Sequence, residues 1–446
     1  MHAIDLTDPG PGEPHPDRAA DDLYERLESD VRSYCRSFPT SFTTARGARL
    51  TATDGTSYLD FLAGAGALNY GHNHPRVKQA VLEHIAGDGL VQGLDLHTSA
   101  KAAFLSALER VVLAPRGLPH KVQFTGPTGT DAVEAAFKLA RLATGRSGVV
   151  AFSGGYHGHS LGALAATANR QHRAAAGVAL DRVTFVPYAC GPAAAFDGLA
   201  YLEAALGDTH SGIDLPAAVI VEAVQAEGGV WVAPPQWLQR LRALCDHHGI
   251  VLIVDEIQTG CGRTGPFFAF ERAGIVPDVV TVSKSISGFG LPMSLVLLRP
   301  ELDVWQPGDH CGTFRGHQLA FVAGAAALEV FADDRLEEVT AANADHLAAR
   351  LTGEVAAFDR RIAVRGVGML WGVDLSALDP SGSLTRRVGA IAFDEGVIVE
   401  RVGRNDTVVK LLPPLVIGRD DLDAGIDVLV TAVGKAMADA GIVPLA

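Results

Sequence analysis

Short apolar runs separated by helical segments constrain the fold of this chain most strongly. Ile250–Val254 has five aliphatic residues in succession, and comparable runs recur through the middle of the sequence. Such runs predict strands buried on both faces, which is typical of a parallel sheet covered by helices. We therefore predict an α/β fold with a mostly parallel sheet. The predicted strands are Ala48–Thr51, Ser57–Phe61, Val122–Thr125, Gly148–Phe152, Val183–Val186, Ala217–Glu222, Ile250–Asp255 and Asp278–Ser283, and the predicted helices include Leu23–Arg36, Thr130–Leu142, Pro235–His248 and about Leu319–Phe331.

The pattern changes near residue 330. Leu336–Leu351 has the spacing of an amphipathic helix, and the strands predicted at Ile362–Arg365 and Gly368–Asp374 follow it in α+β order. We predict four regions: a Pro-rich flexible arm over residues 1–22, an N-terminal segment over 23–76 that packs with a small domain, a large domain over 77–329, and the small C-terminal domain over 330–446.

Composition excludes several classes of function. Of the 446 residues, 48% are hydrophobic and 20% are charged, which is typical of a globular protein with an ample core. The net charge of −14 argues against a nucleic-acid partner, because binding phosphates requires a positive surface. No apolar run is long enough to span a membrane, and the acidic N-terminus is typical of neither a secretory signal nor a transit peptide. The five cysteines never have CxxC spacing, so we predict reduced thiols in a cytoplasmic protein and no zinc site.

One lysine stands where a predicted buried strand ends. The chain has 37 basic residues but only seven lysines, and Lys284 directly follows the strand Asp278–Ser283. An amine in apolar surroundings has its charged form disfavoured, so its pKa falls and it becomes a usable nucleophile. The alternative is an ordinary solvated lysine at a strand end.

A carboxylate stands at the end of another predicted strand. Asp255 follows Ile250–Val254, which places it on the side of an α/β sheet where ligands bind. A buried anion there keeps a pyridinium nitrogen protonated. Ile257 is placed to pack on the face of such a ring, and Gln258 to hydrogen-bond a ring hydroxyl. The alternative is that Asp255 caps a helix or a turn.

A Gly/Thr turn connects a predicted strand to a predicted helix at Thr125–Glu134. Free backbone N–H groups at the start of a helix bind phosphate, so Gly129 and Thr130 are the predicted contacts. Capping of the helix by Thr128 or Thr130 is an alternative that is compatible with phosphate binding.

A second glycine turn contains an aromatic residue and histidines. In Gly154–Gly158, Tyr156 offers a flat face for stacking on a ring. His157 and the nearby His159 suggest a metal site, but no cysteine or carboxylate stands at ligand spacing, so we predict no metal. Gly260–Gly265 matches the GxGxxG pattern of nicotinamide dehydrogenases. The strand, however, ends five residues earlier and Pro266 follows, so this alternative is disfavoured.

Together, the phosphate turn, the aromatic residue, the strand-end aspartate and the strand-end lysine predict a site for pyridoxal phosphate. With these residues the chain resembles the class III (ω-amino-acid) aminotransferases of pyridoxal-phosphate fold type I, from about Val31 to the C-terminus. The motifs that carry the resemblance are Gly129-Thr130, Tyr156–Gly158, Glu222–Gly229, Asp255–Gln258, Ser283-Lys284 and Gly312–Gly316.

The resemblance implies a large cofactor-binding domain and a homodimer with shared active sites. It implies that Lys284 bonds covalently to pyridoxal phosphate, that Asp255 holds the ring nitrogen, and that Thr313 reaches the phosphate bound by the neighbouring subunit. The remaining residues expected at the cofactor are Gly129, Thr130, Tyr156, His157, Glu222, Ile257 and Gln258.

Further motifs are similar to those of diaminobutyrate–2-oxoglutarate transaminases, namely Phe61–His72, Gly126–Thr130 and Ser283–Pro292. That similarity implies transfer of an amino group from L-glutamate to aspartate 4-semialdehyde in a ping-pong reaction. Lys410 stands where ornithine and 4-aminobutyrate transaminases carry a carboxylate-binding arginine, and we expect Glu227 to pair with it and to open for glutamate. The alternatives are an ornithine, 4-aminobutyrate or acetylornithine type of transaminase, an aminomutase, or a non-catalytic pyridoxal-binding regulator.

Overall fold

The computed structural model describes residues 18–445, with side chains from residue 23 onward. The chain divides into two compact units, and the boundary lies between Ser41 and Phe42. The first unit contains two helices, α1 (Arg18–Leu27) and α2 (Tyr34–Ser37). The single helix predicted over Leu23–Arg36 is therefore wrong. Ser29 and Asp30 lie in the interruption, where the Ser29 hydroxyl accepts a bond from the Val31 N–H at 3.4 Å and the Asp30 carbonyl accepts one from Arg36 Nη2 at 3.2 Å. The arm predicted over 1–22 lies outside the described residues, except for residues 18–22 in α1.

The second unit contains the remaining elements that the structure describes. Its strands are β1 (Phe42–Arg46), β2 (Arg49–Ala52), β3 (Ser57–Asp60), β4 (Lys121–Phe124), β5 (Val149–Phe152), β6 (Val183–Val186), β7 (Ala218–Val221), β8 (Val224–Gln225), β9 (Trp231–Val232), β10 (Val251–Asp255), β11 (Val279–Val282), β12 (Leu295–Leu298), β13 (Ala363–Val367), β14 (Leu370–Asp374), β15 (Val397–Ile398), β16 (Glu400–Val402) and β17 (Val408–Leu411). Its helices are α3 (Ala63–Gly66), α4 (Pro75–Ala86), α5 (Ser99–Leu108), α6 (Gly129–Thr144), α7 (Leu161–Ala166), α8 (Arg170–Ala174), α9 (Gly198–Gly207), α10 (Pro235–His248), α11 (Gln318–Asp333), α12 (Leu336–Arg350), α13 (Ser383–Asp394) and α14 (Arg419–Asp439).

A seven-stranded sheet forms the largest layer, with strand order β4-β12-β11-β10-β7-β5-β6. Its pairs are parallel, except that β12 is antiparallel to both of its neighbours. Every residue of β5, β7, β10 and β11 is buried, as their continuous apolar sequences predict. The predicted mostly parallel sheet is confirmed, and β12 is the strand that the sequence prediction lacks.

Helices cover both faces of this sheet. Apolar residues of α5, α10 and α11 form the core on one face, and those of α6 and α7 form the core on the other. This arrangement hides the backbone of the central strands from water, so the sheet provides a rigid base for residues at the strand ends.

A separate core lies around two smaller sheets. One is the antiparallel sheet β13-β14-β17-β16, and the other has the order β1-β2-β3-β15. Residues of α12, α13 and α14 fill this core together with Leu59 and Phe61 from the early part of the chain. The domain boundaries predicted at residues 77 and 330 stay predictions. No helix described between residues 18 and 445 has the length and apolar character needed to cross a membrane.

Candidate active site

A cavity of about 320 Å³ lies where the carboxyl ends of β4, β5, β7, β10 and β11 meet. These strands run in one direction, so the residues that follow them converge at one edge of the sheet. All predicted site residues except Lys410 and Thr313 line this cavity. The lining residues are Thr128, Gly129, Thr130, Tyr156, His157, Gly158, His159, Glu222, Glu227, Asp255, Ile257, Gln258, Thr259 and Lys284.

Lys284 begins a short 3₁₀ turn directly after β11. Its φ of +53° lies in the left-handed region, which costs about 1–2 kcal/mol for a residue with a Cβ. Such strain is characteristic of functional positions. The Lys284 amine makes no hydrogen bond to any residue between 18 and 445. Burial lowers its pKa, against the opposing effect of the Glu227 carboxylate. The side chain is therefore a partly buried amine whose charged form is disfavoured by desolvation.

Hydrogen bonds fix the Asp255 carboxylate on both oxygens. Its Oδ2 lies 2.7 Å from His157 Nδ1, and its Oδ1 accepts bonds from the Thr281 hydroxyl and the Ile257 backbone N–H, each at 3.1 Å. Because His157 faces Asp255, its ring orients this carboxylate. Asp255 is thus a buried carboxyl group held in a single orientation at the cavity wall.

A second acid, Glu222, lies beside Asp255. Its Oε1 accepts a hydrogen bond from the Tyr156 N–H at 2.9 Å. Burial, together with the nearby Asp255, raises the pKa of Glu222 well above its usual range. Burial and the carboxylates of Glu227, Glu222 and Asp255 raise the pKa of Tyr156 to about 12, which keeps its phenol neutral.

The start of α6 forms a narrow part of the cavity floor. Thr128 is the N-cap residue of α6, and its N–H and its hydroxyl donate hydrogen bonds to the carboxylate of Asp131. A Cβ at Gly129 would lie 2.9 Å from Ile257 Cδ1, and a Cβ at Gly158 would lie 2.4 Å from Thr130 Oγ1. Glycine at both positions leaves space over the helix N-terminus.

Behind the cavity, Lys410 lies fully buried among three oxygens. Its Nζ lies 2.5 Å from Glu227 Oε1, 2.9 Å from Glu400 Oε2 and 3.1 Å from Gln258 Oε1. Burial alone would raise the pKa of Glu227, but Lys410 and Lys284 outweigh it and lower that pKa to about 2. Glu227 is therefore ionised and held at the cavity wall by Lys410.

Gln258 connects this ion pair to the backbone. Its Nε2 donates hydrogen bonds to Glu227 Oε1 at 3.1 Å and to Ala65 O at 3.0 Å. Both amide hydrogens are thereby in use, so the predicted contact of Gln258 with a ring hydroxyl stays a prediction.

Glu400 belongs to the site but was not predicted from the sequence. Glu400 stands directly opposite Lys410 in the antiparallel pair of β16 and β17, and no sequence pattern reveals this register.

Thr313 is exposed and lies outside the cavity, where its carbonyl accepts a bond from Gln92 Nε2 at 2.6 Å. The predicted reach of Thr313 into a neighbouring subunit stays a prediction.

The GxGxxG stretch does not begin a helix. Within it, Arg263 is fully buried and donates hydrogen bonds to Met369 O at 3.0 Å, Pro413 O at 2.5 Å and Asn69 Oδ1 at 2.6 Å. The stretch is therefore a turn around a structural arginine, without the helix N-terminus that a dinucleotide pyrophosphate requires. The part of the chain that the structure describes contains no group of three or more His, Cys, Asp or Glu placed to hold a metal ion.

Comparison with known proteins defines the class to which this fold and site belong. The family model described as aminotransferase class-III matches residues 33–433. The chain belongs to the class-III aminotransferase family and is an enzyme of that class.

Individual relatives are similar over nearly the whole chain. The diaminobutyrate–2-oxoglutarate transaminase of Nocardia farcinica is 52% identical over 420 residues, covering 93% of this chain and 94% of that protein. The enzyme of the same name from Halomonas elongata is 50% identical and covers 93% of this chain and 99% of that protein.

Solved structures share the fold. An ornithine aminotransferase from Toxoplasma gondii, described with pyridoxal phosphate at partial occupancy in its active site, has a TM-score of 0.82 at 26% identity and covers 94% of each chain. A transaminase from the marine bacterium Virgibacillus, at 22% identity, has a TM-score of 0.85 and covers 95% of this chain and 100% of that one. The fold is thus the α/β fold of these transaminases, as predicted.

Three observations fit pyridoxal phosphate in the cavity. The start of α6, with glycine at position 129, offers N–H groups to a phosphate, and Asp255 offers a fixed carboxylate to a ring nitrogen. Lys284 offers an aldehyde a partly buried amine that makes no hydrogen bond to the residues the structure describes.

Proposed function

We propose that the protein transfers an amino group from L-glutamate to aspartate 4-semialdehyde, giving L-2,4-diaminobutyrate and 2-oxoglutarate. The observation that carries the proposal is the Glu227–Lys410 pair at the wall of the cavity that contains Lys284. Relatives at 50–52% identity that are named for this reaction support the choice of substrates.

In this proposal Lys284, Asp255, Thr130 and Tyr156 act on pyridoxal phosphate. When bound, the cofactor supplies an aldehyde for the substrate amine and an electron sink for the carbon that bears it. Lys284 Nζ would take a proton from that carbon and pass it to the aldehyde carbon of the cofactor, a task that requires the amine to be neutral before it accepts the proton. Burial of Lys284 increases its neutral fraction. Asp255 holds the ring nitrogen, and Thr130 together with the α6 N-terminus holds the phosphate.

The remaining predicted residues complete the cofactor site. We assign Ile257 and Tyr156 to the two faces of the ring, His157 to the orientation of Asp255, and Gly129 to the phosphate. Glu222, whose pKa is raised by burial, lies on the cavity wall and fixes the backbone of Tyr156.

The Glu227–Lys410 pair adapts the site to two different substrates. With the pair closed, Glu227 occupies the Lys410 ammonium, and the wall accepts a substrate whose end beyond the reacting carbon carries both an ammonium and a carboxylate. With Glu227 withdrawn, the Lys410 ammonium is available to a glutamate carboxylate. Glu400 remains beside Lys410 in either state, so the buried ammonium keeps a counter-ion throughout.

We further propose a homodimer in which Thr313 contacts the phosphate bound by the other subunit. In support, Thr313 is exposed and so is the adjacent Phe314, and the exposed Leu94 lies two residues after Gln92, whose side chain bonds the Thr313 carbonyl. A Thr313→Val variant should weaken cofactor binding without changing the oligomeric state measured by sedimentation. A cytoplasmic location is part of the proposal and agrees with five unpaired cysteines.

A comparison of amino acceptors tests the proposed function. The kcat/KM values with glutamate as donor should be highest for aspartate 4-semialdehyde among the semialdehydes of aspartate, glutamate, succinate and N-acetylglutamate. A preference for one of the other three would assign the ornithine, 4-aminobutyrate or acetylornithine type instead. Isomerisation of a single amino acid without any acceptor would indicate an aminomutase.

A further inference from the structure

Arg365 on β13 hydrogen-bonds to the backbone of the turn that carries Glu227. Its Nε and Nη2 both donate hydrogen bonds to the carbonyl oxygen of Gly229, at 2.8 and 2.6 Å. Its Nη1 donates to Asp374 Oδ2 at 2.8 Å, and its Cζ lies 3.6 Å from the ring centroid of Trp231. The guanidinium is therefore held by an acid and an aromatic face while it binds one backbone oxygen.

The turn between β8 and β9 is strained. Val230 has a φ of +58° and is fully buried, although a β-branched residue strongly disfavours this conformation. Gly229 has a φ of +117°, and a Cβ there would lie 3.3 Å from Arg365 Nη2 and 3.1 Å from Trp231 Nε1. A strained turn persists only where its surroundings determine it, and the two bonds from Arg365 provide that restraint.

The same turn determines where the Glu227 carboxylate lies. Glu227 is two residues before Gly229, and its carbonyl accepts a bond from Gly403 N at 3.0 Å. Its carboxylate meets Lys410 and Gln258 at the cavity wall, whereas Arg365 does not line the cavity. Any effect of Arg365 on substrates therefore passes through the backbone of the turn.

We infer that Arg365 is a positioning residue that holds Glu227 in its pair with Lys410 and so sets the selectivity of the enzyme between its two substrates. The inference rests on the proposed role of the Glu227–Lys410 pair. Loss of Arg365 relaxes the turn toward withdrawal of Glu227. The reaction with the semialdehyde, which uses the closed pair, is then impaired more than the reaction with glutamate, which uses the open one.

The test is a double-mutant cycle on the cofactor-loaded enzyme. We expect Arg365→Gln to lower the ratio of kcat/KM for aspartate 4-semialdehyde to that for glutamate by about tenfold, the size expected for the loss of one charge-assisted hydrogen bond. Glu227→Gln should also change this ratio, and adding Arg365→Gln to it should change the ratio no further, because Arg365 acts through Glu227. The control is Arg387→Gln, which removes an exposed pair with Asp439 and should leave the ratio unchanged.

A second measurement does not depend on activity. Hydrogen exchange of the backbone amides of residues 229–232 should be faster in Arg365→Gln and unchanged in the Arg387→Gln control. Arg365→Lys keeps a positive charge for Asp374 but lacks the planar guanidinium that donates two bonds to the Gly229 carbonyl. It should therefore give a kcat/KM ratio and a hydrogen-exchange rate between those of wild type and Arg365→Gln. This conservative variant provides the test if Arg365→Gln does not fold.

Three outcomes would overturn the inference. One is that the two substitutions multiply in their effects on the ratio, because a general structural defect would act independently of Glu227. The second is an unchanged exchange rate for residues 229–232 in both Arg365 variants. The third is that Glu227→Gln shifts the ratio and Arg365→Gln does not, which leaves the proposed function intact. If Glu227→Gln alone changes neither half-reaction, the proposed role of the ion pair fails first, and the inference fails with it.

Discussion

Replacing Lys410 by methionine removes the cation that pairs with two acids, the partly buried Glu227 and the buried Glu400. The Lys410 Nζ lies 2.5 Å from Glu227 and 2.9 Å from Glu400, and the lysine side chain is fully buried. The pKa of Glu227 is about 2, against an ordinary value of 4.5. At about 1.4 kcal/mol per pKa unit, this difference corresponds to about 3 kcal/mol of folding stability at pH 7. Removing one partner of a buried ion pair costs about 3–5 kcal/mol, which agrees with that value.

The sign of the pH dependence follows from the same comparison. Because the pKa of Glu227 is lower in the folded than in the unfolded protein, its ionised form contributes stability that is present above about pH 4.5 and is lost as the pH falls toward 2. In Lys410→Met that contribution is absent, and the buried carboxylate takes up a proton more readily. The stability difference between wild type and variant is therefore largest near pH 7 and shrinks toward pH 4.5.

The assay is urea unfolding between pH 7.5 and 4.5, at fixed concentrations of protein and pyridoxal phosphate. Lys435→Met is the matched control, since Lys435 pairs with Glu395 at 2.8 Å on the surface, with about half of each side chain exposed. Its loss should be below about 1 kcal/mol at every pH. Adding Glu227→Gln to Lys410→Met should restore part of the stability. A loss below about 1 kcal/mol for Lys410→Met, or one independent of pH, would refute this reasoning.

Four further predictions concern the cavity. Lys284→Ala should abolish turnover while leaving pyridoxal phosphate bound without a covalent bond, which absorbance after gel filtration would reveal. Because burial lowers the pKa of Lys284, the rate of cofactor capture by the apoenzyme should rise with pH and level off below the ordinary lysine pKa of 10.5, as measured by stopped-flow absorbance. Asp255→Asn should lower kcat by about 10²–10³, the usual effect of removing one fixed electrostatic group, and an unchanged kcat would contradict its role at the ring nitrogen. Gly158→Ala should weaken cofactor affinity in equilibrium dialysis because its Cβ would lie 2.4 Å from Thr130 Oγ1, whereas Gly353→Ala, with open space, should not.

The sequence predicted the part of the site that depends on local order. Strand ends carry Asp255 and Lys284, and parallel strands present their carboxyl ends at one edge, so the convergence of these residues followed from the pattern of apolar runs. The boundaries of Pro235–His248 and Val183–Val186 were also predicted correctly, because each segment has a clear period and clear turn residues at its ends.

The sequence did not predict the parts that depend on register and long-range packing. Strand β12 runs antiparallel within a mostly parallel sheet, and its pairing with β4 joins segments far apart in the chain. Glu400 meets Lys410 only because of the β16–β17 register, and Arg365 meets Gly229 across 136 residues. Such contacts are fixed by tertiary structure and leave no local pattern.

The most direct test of the proposed function is the visible spectrum of the purified enzyme during two successive additions. With pyridoxal phosphate bound, L-glutamate should bleach the absorbance, and aspartate 4-semialdehyde should restore it with one equivalent of L-2,4-diaminobutyrate formed per active site. Lys284→Ala should show neither change. Bleaching without recovery would retain the transaminase and contradict the proposed acceptor, and a protein that stays colourless with added pyridoxal phosphate would contradict the whole account.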